Sequence, residues 1–244
     1  QALMEAQLLE LDPAEDATLR RGSAGYYAWL ISGESCEEAA AYEPPFASVA
    51  SAQAWLTRLS ARQDRNRGTF LFDMWQLARQ RTWEGQDLRA SPDLVEAIAK
   101  ALSLAHESFD LVAGELAEAL QTPQRTVSFA GLPAFPRATA LAVLGSAQLR
   151  VDLGAPRPGT RLRAWSRAEG GRYTLSALRL DALGHTLSRL ELPPRTSGQL
   201  SIELDAHTFA VTVTLTRVAD VGVPDPDAPD TELRAAGLIV DAAP

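Results

Sequence analysis

The 244-residue sequence has a single cysteine, Cys36, and a single lysine, Lys100. One cysteine excludes an intrachain disulfide. Glu34, Glu37 and Glu38 surround Cys36 with negative charge, which raises a thiol pKa and argues against a reactive thiolate. All other basic side chains are arginine, a bias that points to a GC-rich genome. The 23 basic residues face 31 acidic ones for a net charge of −8, and they neither cluster nor interleave with aromatics. Nucleic acid is therefore not an expected partner. No run approaches the roughly 18 apolar residues that cross a bilayer, so no membrane span is expected. Neither Met nor a leader-like segment opens the sequence at Gln1, and a processed or trimmed form is expected. No G-x-G-x-x-G or P-loop follows a strand-like run, and G-x-S-x-G is missing. No residue stands out as catalytic, cofactor-binding or metal-ligating, and no cofactor is expected.

What remains is globular composition, 46% hydrophobic and 22% charged. The first 120 or so residues carry a helical period. Gln1 to Leu11 places Leu3, Met4, Leu8 and Leu11 on one face. Asp12-Pro13-Ala14-Glu15 then reads as a helix start, with Asp12 capping and Glu15 closing a capping box. That helix carries Leu19, Tyr26, Tyr27, Trp29 and Leu30 and stops at Gly33. Further helices are expected over 51–62 and 69–81, separated by the polar turn 64–68. Ser91-Pro92-Asp93 opens the longest helix, running to about Leu120, with Leu94, Ile98, Leu102, Ala105, Phe109, Val112 and Leu116 as its packing stripe.

After a segment with Pro123, Gly131, Pro133 and Pro136, the period becomes two. Leu149, Val151 and Leu153 alternate with polar residues, as do Leu200, Ile202 and Leu204, and Phe209, Val211, Val213 and Leu215. These predict strands with one buried and one wet face. Less regular strands are expected over 160–166, 173–181 and 185–192, with turns at Gly170-Gly171, near Gly184 and at Pro193-Pro194. The fold class read from this is α+β: a helical N-terminal domain followed by an antiparallel β-sandwich, jelly-roll or immunoglobulin-like. The expected domains are helices over 1–121, a proline-rich connector over 122–138, the sandwich over 139–219, and an acidic proline-rich tail over 220–244 that can add a final strand.

Chemistry is sparse. In SLAHESFDLV (103–112), His106 and Glu107 begin like a zinc-peptidase helix. HExxH needs two histidines one turn apart so that both reach one metal, and here Asp110 holds the second position. The stretch reads instead as the middle of the long helix, with His106 beside its stripe. In Arg21-Gly22-Ser23-Ala24-Gly25, the serine falls inside a predicted helix, where the glycines allow close helix packing. The pair Glu115 and Glu118 reads as a solvated helix face, and Asp225, Asp227 and Asp230 lack the glycine and terminal Glu of a calcium loop. Tyr26, Tyr27, Trp29, Trp55, Phe70, Phe72, Trp75 and Trp83 read as the aromatic core of the helical half.

GTFLFDMWQLARQRTWEGQDLRASPDLVEAIAKAL (68–102) resembles the helical region downstream of the zinc helix in secreted gluzincin-like metallopeptidases, and DPAEDATLRRGSAGYYAWL (12–30) resembles the helix soon after that motif. The strands from about 147 to 218 are similar to the sandwich appendices of secreted proteases. The resemblance implies a bacterial, extracytoplasmic protein, and it carries over no catalytic residue because HExxH is absent; any such motif is expected before Gln1. The leading reading is a non-catalytic extracytoplasmic binding or accessory protein that works through the sandwich or a helix–sandwich groove. Two other readings stay open. One is the downstream portion or a degenerate relative of a zinc metallopeptidase; the other is an assembly subunit pairing through strand edges such as 209–217. A protein or peptide is the partner considered, and the oligomeric state is not fixed by the residues.

Overall fold

The computed structural model describes residues 1–11, 15–32, 43–44, 47–63, 69–78, 82–83, 86–87, 93–134, 139–168, 170–222, 224 and 232–243. Among these, six α-helices precede nine strands arranged in two sheets, so the chain is α+β, helices first and sandwich second. By internal contacts it divides into two compact units, Gln1–Val112 with Val223–Asp230 and Ala113–Gly222 with Thr231–Pro244.

The first unit contains α1 (Ala2–Leu11), α2 (Ala17–Ser32), α3 (Val49–Gln63), α4 (Thr69–Ala78), a small hairpin of β1 (Thr82–Trp83) and β2 (Gln86–Asp87), and α5 (Leu94–Leu104). Leu19, Leu56, Leu59, Leu71, Trp75, Leu94 and Ile98 are fully buried in it. Gly22 and Gly25 of α2 let α3 approach: a Cβ on Gly22 would lie 2.6 Å from Ala52 Cβ, and one on Gly25 would strike the Gln53 side chain. The glycines thus serve helix packing, and Ser23 between them is wholly buried.

Helix starts in this unit are capped by side chains, although not all in the expected pairing. Asp16 Oδ1 accepts the N–H groups of Thr18 and Leu19 at 2.8 and 3.1 Å, so Asp16 caps α2. Glu15 is buried, and instead of closing a local box its Oε2 accepts Leu94 N–H at 2.5 Å, at the first turn of α5. Asp93 caps the same helix by accepting Glu96 N–H at 2.8 Å. Two carboxylates therefore meet the positive end of α5, where the orphan N–H groups and the helix dipole favour negative charge. Asp12, Pro13, Ala14, Gly33, the turn 64–68, Ser91 and Pro92 lie outside the described residues.

The long helix expected over 91–120 is two helices, α5 and α6 (Phe109–Leu120). His106 sits between them with φ +60°, its N–H donating to Ser103 O at 3.0 Å while Glu107 N–H reaches back to Leu102 O at 2.8 Å. This paired closure around a left-handed residue is a Schellman motif, and histidine occupies the place where glycine is usual. The stripe survives the break except at Ala105, which the turn leaves exposed: Leu94, Ile98 and Leu102 are buried before it, and Phe109, Val112 and Leu116 after it.

The second unit is the sandwich. Its five-stranded sheet runs β3 (Arg125–Ser128), β5 (Ser146–Asp152), β10 (Ala210–Val218), β7 (Arg172–Leu180), β8 (Thr186–Arg195), antiparallel except for the parallel pair β3–β5. The four-stranded sheet runs β4 (Thr139–Leu141), β11 (Arg234–Ala243), β6 (Arg161–Ala168), β9 (Gly198–Glu203), all antiparallel. The core between them joins Leu149, Val151, Leu175, Val213 and Leu215 of the first sheet to Leu162, Leu200, Ile202, Leu238 and Val240 of the second. These are the inward positions of the period-two pattern.

Three expectations change here. Strand β10 lies between β5 and β7, so 209–217 offers no free edge for assembly through pairing. Its second face is not wet either: every residue from Ala210 to Val218 is buried. Pro193 and Pro194 make no turn but fall within β8, an edge strand whose register against β7 shifts between Tyr173 and Leu175, opposite the prolines, so their missing N–H groups fall on the open side and at the irregularity.

Candidate functional site

Each sheet of the sandwich has an outer face, and the two differ. On the five-stranded sheet the outward residues are Ser146, Gln148, Thr174, Ser176, Thr214 and Thr216, all buried. The Ala113–Leu120 part of α6 covers them. Gly114 fits against Thr174, whose Oγ1 would be 2.7 Å from an added Cβ. Gln148 Nε2 donates to Thr214 Oγ1 at 3.0 Å and to Glu118 O at 3.4 Å. Ser146 Oγ donates to Gln121 Oε1.

Glu118 is the chemical centre of this layer. Ser176 Oγ donates to its Oε2, and Arg189 Nε approaches its Oε1 at 3.4 Å. Burial pushes the carboxyl above the usual carboxylate range, while the Ser176 hydroxyl and the Arg189 guanidinium pull it partly back. A serine beside a carboxylate can suggest an activated nucleophile. Both residues, however, are more than nine-tenths buried, so no substrate atom reaches the pair, and the arrangement is a clamp holding α6 on the sheet. The expectation of a solvated Glu115–Glu118 face thus fails at Glu118, which is buried.

On the four-stranded sheet the outer face is open. Cross-strand register sets Ile239, Trp165 and Gln199 side by side on one rung and Asp241, Arg163 and Ser201 on the next. Trp165 is half-buried while Gln199 and Ser201 are exposed. The Arg163 guanidinium lies 5.6 Å from the indole centroid and grips Asp241 with two bonds, Nε–Oδ1 at 3.1 Å and Nη2–Oδ2 at 2.9 Å. Arg161 pairs with Glu203 at 2.5 Å one rung further. An open hollow of about 420 Å³ lies over this face, lined by Arg163, Trp165, Ser166, Ser197, Gly198 and Gln199. Beside Trp165 the face is bare at Gly237, where an added Cβ would meet nothing closer than Arg167 O at 3.6 Å. The sheet thus presents one aromatic plate flanked by planar polar groups already fixed by their own bonds.

The residues considered from sequence are placed as follows. His106 is exposed, and Glu107 accepts hydrogen bonds from Arg62 Nη1 at 2.9 Å and Gln63 Nε2 at 2.8 Å, which hold its carboxyl below the usual range. Neither faces a metal partner: among the described residues no three His, Cys, Asp or Glu side chains are grouped to hold a metal ion. His185 and His207 belong to two turns organised by Asp181 and Asp205. Asp181 accepts the N–H groups of Leu183 and His185, each at 2.8 Å; Asp205 accepts His207 N–H at 2.9 Å and the Thr208 hydroxyl at 2.7 Å. These bonds lower both carboxyls. Tyr26, Tyr27, Trp55 and Trp75 are buried as core, and burial pushes the Tyr27 phenol far up. Cys36, Glu34, Glu37, Glu38, Asp225, Asp227 and Asp230, and the Trp83 side chain, lie outside the described residues. Trp165 was not among the candidates, although RLRAWSRA alternates so as to set Arg161, Arg163, Trp165 and Arg167 on one face.

No family model and no curated protein matches the sequence. Among solved structures, the chain is similar to the pre-peptidase C-terminal domain of a collagenase from Bacillus anthracis, with TM-score 0.32 and 4% identity over 50% of this chain and 98% of that one. It is also similar to a periplasmic inhibitor of g-type lysozyme from Aeromonas hydrophila, with TM-score 0.26 and 12% identity over 50% of this chain and 100% of that one. A carbohydrate-binding module in complex with calcium and xylotriose follows, with TM-score 0.25 and 9% identity over 46% of this chain and 91% of that one.

Proposed function

We propose that this protein is a non-catalytic binding or accessory module of an extracytoplasmic system, and that it holds its ligand on the outer face of the four-stranded sheet. The observation that carries the reading is the half-buried Trp165 set in an open hollow between Arg163 and Gln199. A large aromatic left in view on a sheet surface, with ordered polar groups around it, offers a ligand both apolar area and orientation. The polar groups nearest it belong to a salt-bridged pair and an amide, with no histidine or cysteine beside them among the described residues, which suits binding more than bond-breaking.

The test uses the full chain labelled with ¹⁵N at tryptophan, whose five indole N–H resonances are assigned with Trp165→Phe. Neutral oligosaccharides, acidic peptides and basic peptides are titrated in separately. A shift confined to the Trp165 resonance with one probe class supports the reading. Shifts at other tryptophans alone, or none with any class, overturn it. Stoichiometric zinc in the purified chain would overturn the non-catalytic assignment.

A further inference from the structure

We infer that the ligand of this face is a neutral oligosaccharide built from pyranose rings with equatorial hydroxyls, stacked on the Trp165 indole; the inference rests on the surface proposed above. Such a ring has two unlike aspects. Its flat faces present C–H groups, which pack on an indole through dispersion and the negative charge of the π face. Its rim presents hydroxyls that both donate and accept, so it needs planar groups of both kinds beside the plate.

The rungs next to Trp165 supply that set. Gln199 stands on the same rung and offers a carbonyl oxygen and two N–H donors from one plane. Arg163 uses Nε and Nη2 on Asp241, leaving the hydrogens of Nη1 for a hydroxyl, and the paired Asp241 carboxylate retains lone pairs for another. Because Arg163 and Asp241 are already locked together, little side-chain freedom remains to be lost on binding. Ser197 and Gly198, in the turn leading into β9, close one side of the hollow. On the other side, Gly237 leaves the β11 half of the next rung bare opposite Arg167, so a chain of sugars can continue past the plate along β11.

Charge and area separate this ligand from others. Arg161 is paired with Glu203 and Arg163 with Asp241, so only Arg167 adds a further cation to this face, and one arginine is no cluster for an anionic ligand. The apolar surface is also small, with Trp165 and Ile239 on one rung and charged or polar residues on the rungs beyond. A stable protein partner needs about 800 Å² per side around an apolar centre. One plate with a polar fringe matches a ligand a few rings long.

The experiment titrates the full chain with cellotetraose, xylotetraose, and an acidic and a basic hexapeptide, following the Trp165 indole resonance and heat by calorimetry. Expected are saturable shifts of that resonance with at least one tetrasaccharide and none with either peptide. Trp165→Ala and Gln199→Ala should each weaken binding about tenfold or more. Gly237→Gln keeps the plate but places a side chain beside it, and should weaken binding comparably while the circular dichroism and melting temperature stay those of the parent. Saturable binding of a peptide at Trp165 with no response to either saccharide overturns the saccharide inference and leaves the surface standing. Silence of Trp165 toward all four probes overturns both. Saccharide binding that Gly237→Gln and Gln199→Ala leave unchanged overturns this placement of the ligand.

Discussion

The two outer faces of the sandwich are written in nearly the same alphabet and have opposite fates. One carries Thr174, Ser176, Thr214 and Thr216 and is buried beneath α6; the other carries Arg161, Arg163, Ser201 and Glu203 and remains in view. The small hydroxyls of the first are what permit a helix to lie flat on it, with Gly114 over Thr174 and Glu118 bonded to Ser176. The long charged side chains of the second stand off the sheet and pair with one another, so no helix could settle there without desolvating them. Alternation in a strand therefore reports which residues share a face, whereas side-chain size and charge decide whether that face is covered.

Matched substitutions on the two faces test this directly. Gly114→Gln drives a side chain into Thr174 and should cost about 2–3 kcal/mol of unfolding free energy. Gly237→Gln on the open face should stay within about 0.5 kcal/mol, both read by urea denaturation. If both cost the same, the contrast between the faces is lost. Thr214→Ala removes the acceptor of Gln148 Nε2 in a buried layer and should cost about 1–2 kcal/mol, with the longer Gln148–Glu118 bond compensating in part. Ser201→Ala, exposed, should be silent within about 0.5 kcal/mol.

A further effect is a slope. Burial makes Glu118 harder to ionise in the folded protein, so the native state holds that proton more tightly than the unfolded chain, whose carboxyl titrates at its ordinary value of 4.5. Stability should fall as pH rises from that value through the raised folded one, and then level off. Glu118→Gln, which still accepts from Ser176, should remove this contribution and change stability near pH 7 by no more than about 1 kcal/mol. Melting temperatures measured across the acid range check it, and an unchanged slope in the variant would place the titration elsewhere.

Much of the architecture was legible before any coordinates. The alternating stretches 149–153, 200–204 and 209–215 fall in or beside β5, β9 and β10, because period-two patterning leaves a strong trace in sequence. The less regular 160–166, 173–181 and 185–192 appear as Arg161–Ala168, Arg172–Leu180 and Thr186–Arg195. The break at His106 was invisible for a physical reason. Leu102 and Phe109 are seven residues apart, two helical turns, so the stripe keeps its phase across the Schellman turn. Glu15 misled in another way: its spacing suits a local box, but tertiary structure carries it to α5, 79 residues on. Strands β3 and β4, of four and three residues, are too short to show a period. Trp165 is legible in the RLRAWSRA alternation, but a lone tryptophan in a strand carries less signal than the eight aromatics of the helical half, of which Tyr26, Tyr27, Trp55 and Trp75 are core.

One placement in the four-stranded sheet bears on how the molecule is made. Strand β11, the last in sequence among the described strands, lies between β4 and β6 and supplies both Ile239 and Asp241 to the face around Trp165. Until it arrives, β4 has no partner in that sheet and Arg163 has no Asp241 to grip. The face around Trp165 is therefore completed only once β11 is in place, and a chain without that strand has neither Ile239 nor Asp241 beside the indole.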